Sequence, residues 1–128
     1  MSYYFSKTLH SDLDAAIQKV TDALQAEGFG ILTDIDVQAT LKKKLDADVR
    51  PYRILGACNP NFAFKALQAE NKIGLMLPCN VVVQQLADGT VEISAVDPMA
   101  SMQAVENNSL GVVAIEVQQK LKTIISSL

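Results

Sequence analysis

The sequence predicts an α+β protein, a two-layer sandwich in which helices pack on one face of a mainly antiparallel sheet. The hydrophobic period switches repeatedly between two residues, which is typical of strands, and about 3.6 residues, which is typical of helices. Asp88-Gly89 lies between two alternating segments and favours a tight hairpin, so the strands beside it should be antiparallel. With 128 residues, 49% of them hydrophobic and 20% charged, the chain has the size and composition of one ordered domain, residues 1–128.

Strands are predicted where apolar and polar residues alternate, and helices where apolar residues recur every three or four positions. The predicted order is a strand at 3–9, a helix at 11–28, a strand at 30–36, a short helix at 36–45, a strand at 52–58, a helix from about 60, a long strand at 75–86, a strand at 90–96 and a last helix from about 109. Helix caps accept a hydrogen bond from an unpaired backbone N–H. The predicted caps are Ser11, Asp36, Asn59 and Ser109.

The middle of the chain yields two further expectations about side chains. In the helix that starts at about Pro60, the large apolar residues Phe64 and Leu67 are expected to enter the core. In the long strand, alternation places Cys79 on the buried face together with Leu75, and Asn80 on the opposite face.

The net charge of −3 and the isoelectric point near 5.0 argue against a nucleic-acid partner, because a phosphate backbone favours clustered lysine and arginine. The one basic cluster is residues 42–44. It lies between Leu41 and Leu45, four positions apart, which is typical of the solvent-facing side of a short amphipathic helix. No nucleic-acid partner is therefore expected.

The chain start lacks the basic segment, apolar run and cleavage site of a secretory signal. The apolar stretch at 75–83 is much shorter than the roughly 20 residues of a membrane-spanning helix, and Pro78 interrupts it. A cytoplasmic protein without membrane association is the expectation. In that compartment the two cysteines are expected to be reduced thiols.

Both cysteines lie in nearly mirror-image tripeptides, Cys58-Asn59-Pro60 and Pro78-Cys79-Asn80. Cys58 ends a predicted strand just before a helix, whose N-terminus favours a thiolate, so it is a candidate nucleophile. Cys79 fits a small apolar core residue. Asn80 in an apolar strand needs hydrogen-bond partners, which indicates a polar pocket, a strand bulge or a subunit contact.

Other chemistry-bearing residues are few. His10 is the only histidine and lies far in sequence from either cysteine, so a Cys-His nucleophile pair has no local support. Two widely separated cysteines do not form a metal-binding motif, and neither a metal nor a cofactor is expected. Asp97, before a proline, is expected to pair with Arg53 or to accept backbone N–H groups at a turn.

Several segments together carry a resemblance to a known family. They are Arg53-Ile54-Leu55-Gly56-Ala57-Cys58-Asn59-Pro60, Phe62-Ala63-Phe64-Lys65-Ala66-Leu67, Leu75-Met76-Leu77-Pro78-Cys79-Asn80-Val81-Val82-Val83, Asp88-Gly89 and Asp97-Pro98. In order and spacing the chain resembles the DUF302 family, a domain of unknown function. The resemblance implies a small two-layer domain near the TATA-binding-protein-like fold, often met as a dimer, and it implies no established reaction.

Three functional hypotheses remain, and the sequence does not decide whether the protein is an enzyme. The first is a small-molecule-binding module, because a few polar groups in an apolar surrounding are typical of a specific site. Its candidate ligand-binding residues are Cys58, Asn59, Cys79, Asn80, Arg53 and Asp97. The second is thiol chemistry, with Cys58 as the catalytic nucleophile and Cys79 as its resolving partner. The third is self-association as a homodimer through the residues Tyr3, Tyr4, Phe5, Met76, Asn80 and Val82.

Overall fold

Five strands form one antiparallel sheet in the computed structural model, which describes residues 2–128. The strands are β1 (Tyr4–Leu9), β2 (Gly30–Asp36), β3 (Tyr52–Cys58), β4 (Cys79–Gln85) and β5 (Val91–Val96). Their spatial order is β1-β5-β4-β3-β2, and every neighbouring pair is antiparallel. The predicted α+β class is confirmed, and β2 and β3 have the bounds that the sequence predicted.

The helices are α1 (Leu13–Ala26), α2 (Val37–Leu45), α3 (Pro60–Ala69), α4 (Pro98–Ser101) and α5 (Asn108–Ser126), and a 3-10 turn at Ile73–Met76 precedes β4. Asp36 and Asn59 cap α2 and α3 as predicted. The caps of α1 and α5 are Asp12 and Asn107 instead of the predicted serines, because the side chains of these two residues reach the free backbone N–H groups of the first turn. Within residues 2–128, no helix combines the length and apolar character needed to cross a bilayer.

The main core lies between one face of the sheet and the helices α1 and α5. Alternate residues of the central strands point into it, as strand geometry requires, and they include Val81, Val83, Val91, Ile93 and Ala95. The helices contribute Ala16, Val20, Leu24, Val117, Leu121, Ile124 and Ile125. Burying each large side chain contributes about 1.5–3 kcal/mol, so this face holds the fold together.

The expectation that Phe64 and Leu67 enter the core is wrong. The two side chains are 63% and 50% exposed. The inward stripe of α3 is Phe62, Ala66 and Ala69, which lie four and three positions apart and pack against the core clusters. Two of these residues are small alanines, so the helix buries its less bulky side.

The predicted strand start at Leu75 is also wrong. β4 begins at Cys79, and Leu75 is 82% exposed in the 3-10 turn. Pro78 cannot donate a hydrogen bond to a neighbouring strand, which accounts for the later start. Ile73 of the same turn instead joins a small second core with Ala66 and Leu110.

Candidate functional site: a sulfur-lined cavity

The antiparallel pairing of β3 and β4 brings the two Cys-Asn units to the same end of the sheet. Ala57 of β3 lies opposite Cys79 of β4, so Cys58 follows directly after the partner of Cys79. Strand spacing and rise place the two cysteine Cα atoms about 6 Å apart. Both cysteines are free thiols.

The two cysteines line one small cavity at this end of the sheet, closed by α3 and α5. Its volume is about 30 Å³, which is room for one or two atoms rather than for an organic molecule. Among residues 2–128, three sulfur-bearing residues line it, Cys58, Cys79 and Met102, and we refer to it as the sulfur cavity. Within the same described range, Asn59 is the only amide at its wall, and the other lining residues are apolar, with Phe29, Phe62 and Leu77 the largest.

The two thiols of the cavity lie in different surroundings. Cys79 is buried, and burial, assisted by the neighbouring Cys58 thiol, raises its pKa from 9.0 to about 11. Its thiol is therefore protonated at neutral pH. Cys58 is half-buried and directly precedes α3, whose N-terminal N–H groups carry partial positive charge.

Asn59 connects the cavity wall to two backbone elements. Its side-chain oxygen accepts a hydrogen bond from the backbone N–H of Asn61 at 3.2 Å, which caps α3. Its amide nitrogen packs against Gly28, where a Cβ atom would lie only 3.1 Å from it. Gly28 has φ +85°, in the left-handed region that favours glycine, just after the end of α1.

Gly56 allows the segment before Cys79 to approach β3. A Cβ atom at this position would overlap the Pro78 ring and the Thr33 hydroxyl. The absence of a side chain thus lets Pro78, itself a lining residue of the cavity, lie against the sheet.

Three of the predicted site residues lie outside the sulfur cavity. Asn80 is exposed on the opposite face of the sheet, because successive residues of β4 alternate in direction. Arg53 forms a two-bond ion pair with Asp34, 2.6 and 2.8 Å long, which lowers the pKa of that carboxyl group. Asp97 accepts a hydrogen bond from the backbone N–H of Met99.

The expected Arg53–Asp97 pair is therefore replaced by two separate interactions. Besides capping α4, the Asp97 carboxylate accepts hydrogen bonds from Gln118 of α5, each 3.1 Å long. The other expected role of Asp97, accepting a backbone N–H at a turn, agrees with the structure. His10 is exposed beyond the end of β1, close enough to Asp88 to influence its carboxyl group.

Met102 is the cavity residue that the sequence did not indicate. It directly follows α4, a four-residue helix too short to show a hydrophobic period. Its position beside the two thiols depends on how α4 and α5 fold back onto the end of the sheet. No spacing in the sequence reports that arrangement.

A wider cleft lies outside the sulfur cavity and shares Asn59 and Phe62 with it. This outer cleft has a volume of about 500 Å³. Charged side chains border it, including Glu27 and Lys120, which form an ion pair 3.3 Å long. Asn59 and Phe62 thus line both a charged outer space and an apolar inner one.

The structure defines a class of small α+β domain with one antiparallel sheet and a thiol-bearing cavity at its end. The model of the DUF302 family, "Domain of unknown function DUF302", matches residues 5–128, so the chain belongs to this family. The crystal structure of an uncharacterized conserved DUF302 protein from Bacillus stearothermophilus is similar, with 25% identity, a TM-score of 0.91 and 98% of each chain covered. No curated protein matches the chain.

Proposed function

We propose that this domain is a ligand-binding module whose site is the sulfur cavity, approached through the outer cleft. The supporting observation is that Cys58, Asn59 and Cys79 line one otherwise apolar cavity. A few polar groups in an apolar wall are typical of a specific binding site. We assign no ligand-binding role to Asn80, Arg53 or Asp97, since each lies elsewhere and two have other partners.

The size of the cavity restricts the ligand. Sites for drug-sized molecules have volumes of about 300–1,000 Å³, whereas the sulfur cavity has about 30 Å³. The ligand is therefore very small, or it places only its tip in the cavity and its larger part in the outer cleft. Asn59 and Phe62 line both spaces, which supports either arrangement.

The test is to titrate the protein with xenon and with a library of small fragments and to record amide and methionine-methyl NMR spectra. We expect shifts at the lining residues, including Met102. The matched control is Ala114→Leu, which fills the cavity from α5 and should abolish these shifts. If neither xenon nor any fragment perturbs the lining residues of the wild-type protein, the proposal is wrong.

Thiol transfer chemistry has less support than binding. A thiolate, not a thiol, is the nucleophile, and the raised pKa of Cys79 keeps that group protonated at neutral pH. Cys58 retains the better position for reaction, at the end of β3 and two residues before α3 begins. Because both thiols are free, we also propose a reducing compartment such as the cytoplasm.

We propose, second, that the domain forms a homodimer through the face of the sheet that the helices leave open. This open face carries Tyr4, Tyr52, Val82 and Val96, and a groove of about 390 Å³ runs across it. In the part of the chain that the structure describes, Glu92 is the one charged residue that lines the groove, and its carboxylate accepts a hydrogen bond from Gln84. Aromatic content and few charges are typical of the centre of a protein interface.

A second copy of this chain fits the open face by area. Five strands about 4.8 Å apart, each rising about 3.3 Å per residue, present a face of about 500 Å² per copy. Two such faces bury about 1,000 Å², the size at which specific interfaces begin. Phe5 and Met76, which the sequence placed at this contact, instead pack against the main core and the second core, respectively.

Sedimentation of Val82→Lys and of Val112→Lys tests the dimer. Val82 lies in the groove, whereas Val112 is exposed on α5. We expect a dimer for the wild-type protein and for Val112→Lys, and a monomer for Val82→Lys, because buried unpaired lysines oppose association. A wild-type monomer at high concentration would contradict the proposal.

A further inference from the structure

The sulfur cavity gathers three sulfur side chains from three separate parts of the fold. Cys58 ends β3, Cys79 begins β4, and Met102 follows α4. The remaining lining residues carry no carboxylate, imidazole or hydroxyl group among residues 2–128. The donor set is therefore two thiols and one thioether, with the Asn59 amide at the wall.

Sulfur donors of this kind select particular metal ions. Thiolates and thioethers are soft ligands, and together they favour Cu(I) over the harder divalent ions. Zinc in proteins is almost always four-coordinate and would need additional ligands or waters. The cavity offers three sulfur donors, one fewer than the four ligands of a structural zinc site.

We propose that the sulfur cavity binds one Cu(I) ion, held by the thiolates of Cys58 and Cys79 with the thioether of Met102 as a third, weaker ligand. This inference rests on the proposed function, because it names the ligand of the same site. The volume of the cavity suits a single ion. Among residues 2–128, Asn59 is the only lining residue with a side-chain oxygen, and that oxygen already accepts a hydrogen bond from the backbone N–H of Asn61.

Binding is an exchange of protons for the metal. Each thiol loses its proton to solvent and forms one sulfur–copper bond, so Cu(I) replaces two protons and no electron is transferred. The site changes from neutral to a net charge of −1. The partial positive charge at the N-terminus of α3, directly after Cys58, stabilises that negative charge.

The proton exchange predicts how affinity depends on pH. Both cysteines are thiols in the metal-free chain, and each must lose its proton to bind the metal as a thiolate. The apparent affinity should therefore rise as pH increases from 6 to 8. Among residues 2–128, the two thiols are the only titratable side chains that line the cavity. His10 lies beyond β1 and does not line it.

The decisive experiment is anaerobic competition for Cu(I) between the reduced protein and the chromophoric chelator bicinchoninate. We expect one Cu(I) per chain. Met102→Leu should weaken Cu(I) binding about 10-fold. Cys58→Ser and Cys79→Ser should each weaken it more than about 100-fold, because losing a residue that only supports a metal ligand already costs about 10- to 100-fold. A parallel titration with Zn(II) should show much weaker binding.

The matched control is Met76→Leu. Met76 packs against the same small second core as Met102 but does not line the cavity. Leucine replaces methionine with little change in volume, so both variants should fold, which thermal unfolding will show. The methyl carbon signal of Met102, assigned from its absence in Met102→Leu, should shift when Cu(I) is added, and that of Met76 should not.

Two outcomes would overturn the copper site. One is that Met102→Leu, like Met76→Leu, leaves the affinity for Cu(I) unchanged. The other is binding that depends on Cys58 alone, which would indicate capture by a single accessible thiol. If xenon or fragments still shift the cavity residues in that case, the ligand-binding proposal stands and only the metal is wrong.

Discussion

The two Cys-Asn units are close to mirror images in sequence, yet they contribute differently to the molecule. In the first unit, both Cys58 and Asn59 line the sulfur cavity. In the second, Cys79 lines the cavity while Asn80 lies on the open face of the sheet. The first unit lies where a strand gives way to a helix, whereas the second lies at the start of a strand, where adjacent side chains point to opposite faces.

This difference shows that backbone context, and not residue type, decides what a short motif can do. Asn59 has a structural partner, the backbone N–H at the start of α3, in addition to its place at the cavity. Asn80 faces solvent and is available to a second chain. The same pair of residues thus serves a cavity on one side of the sheet and a surface on the other.

The largest loss of stability is expected for Gly56→Ala, which should push the segment that carries Pro78 and Cys79 away from β3. The new methyl group meets Pro78 and Thr33, so we expect unfolding to become easier by about 3 kcal/mol, as for other overpacked sites. Urea unfolding followed by circular dichroism measures this. The matched control is Gly30→Ala in β2, where a Cβ atom meets nothing within 4 Å. Equal stability of the two variants would show that the close approach at Pro78 is unimportant.

The second prediction compares the reactivity of Cys79 in the folded and unfolded chain. Because folding raises its pKa from 9.0 to about 11, the reactive thiolate fraction at pH 8 should be about 100-fold smaller in the native protein than in urea. Alkylation followed by mass spectrometry of the Cys79 peptide measures this ratio. The native rate should increase about tenfold per pH unit up to about pH 11.

Cys58 is the internal reference in that experiment, since it is half-buried and lies in the same cavity. We expect the Cys58 peptide to be modified first.

The raised pKa of Cys79 also makes stability depend on pH, because the folded state binds the Cys79 proton more tightly than the unfolded state does. The stability from this group is therefore complete below about pH 9 and is lost as pH rises towards about 11. A Cys79→Ala variant should lack this loss.

The third prediction concerns burial of the two thiols. Cys79→Ser places a hydroxyl group in an apolar wall and should destabilise the fold by about 2 kcal/mol. Cys58→Ser should cost less, because Cys58 is half-buried and its hydroxyl group can reach solvent. Thermal unfolding of the two variants gives the comparison. A larger loss for Cys58→Ser would reverse the assigned burial of the two sites.

The smallest effect is expected for the two asparagines. Asn59→Ala removes the cap of α3 and should destabilise the fold by about 1 kcal/mol. Asn80→Ala should change stability by less than about 0.5 kcal/mol at concentrations where the protein is monomeric, since this residue is exposed. Chemical unfolding at low protein concentration distinguishes them, and equal effects would remove the contrast between the two units.

Much of the fold could be predicted because its signals are local. The bounds of β2 and β3 agree with the predicted strands, and the Asp88-Gly89 hairpin has Gly89 at φ +86°, which glycine permits without strain. Errors arose where side-chain size was taken as a guide to burial. Phe64 is larger than Ala66, but Ala66 faces the core because of its place on the helix.

The candidate site was only partly predictable. The sequence indicated that Cys58, Asn59 and Cys79 belong together, and these three line one cavity. It did not indicate Met102, and it included Asn80, Arg53 and Asp97, which lie elsewhere. Ion pairs and cavities depend on contacts between residues far apart in the chain, and hydrophobic period carries no information about those contacts.

By itself, the sequence determined the class of fold and the order of the main strands and helices, because propensity, capping and alternation act over a few residues. Only the tertiary structure decided which groups share a space. The antiparallel register of β3 and β4 set Cys79 beside Cys58, and the return of the chain through α4 added Met102. These placements follow from packing helices onto one face of a twisted sheet, which depends on the whole chain at once.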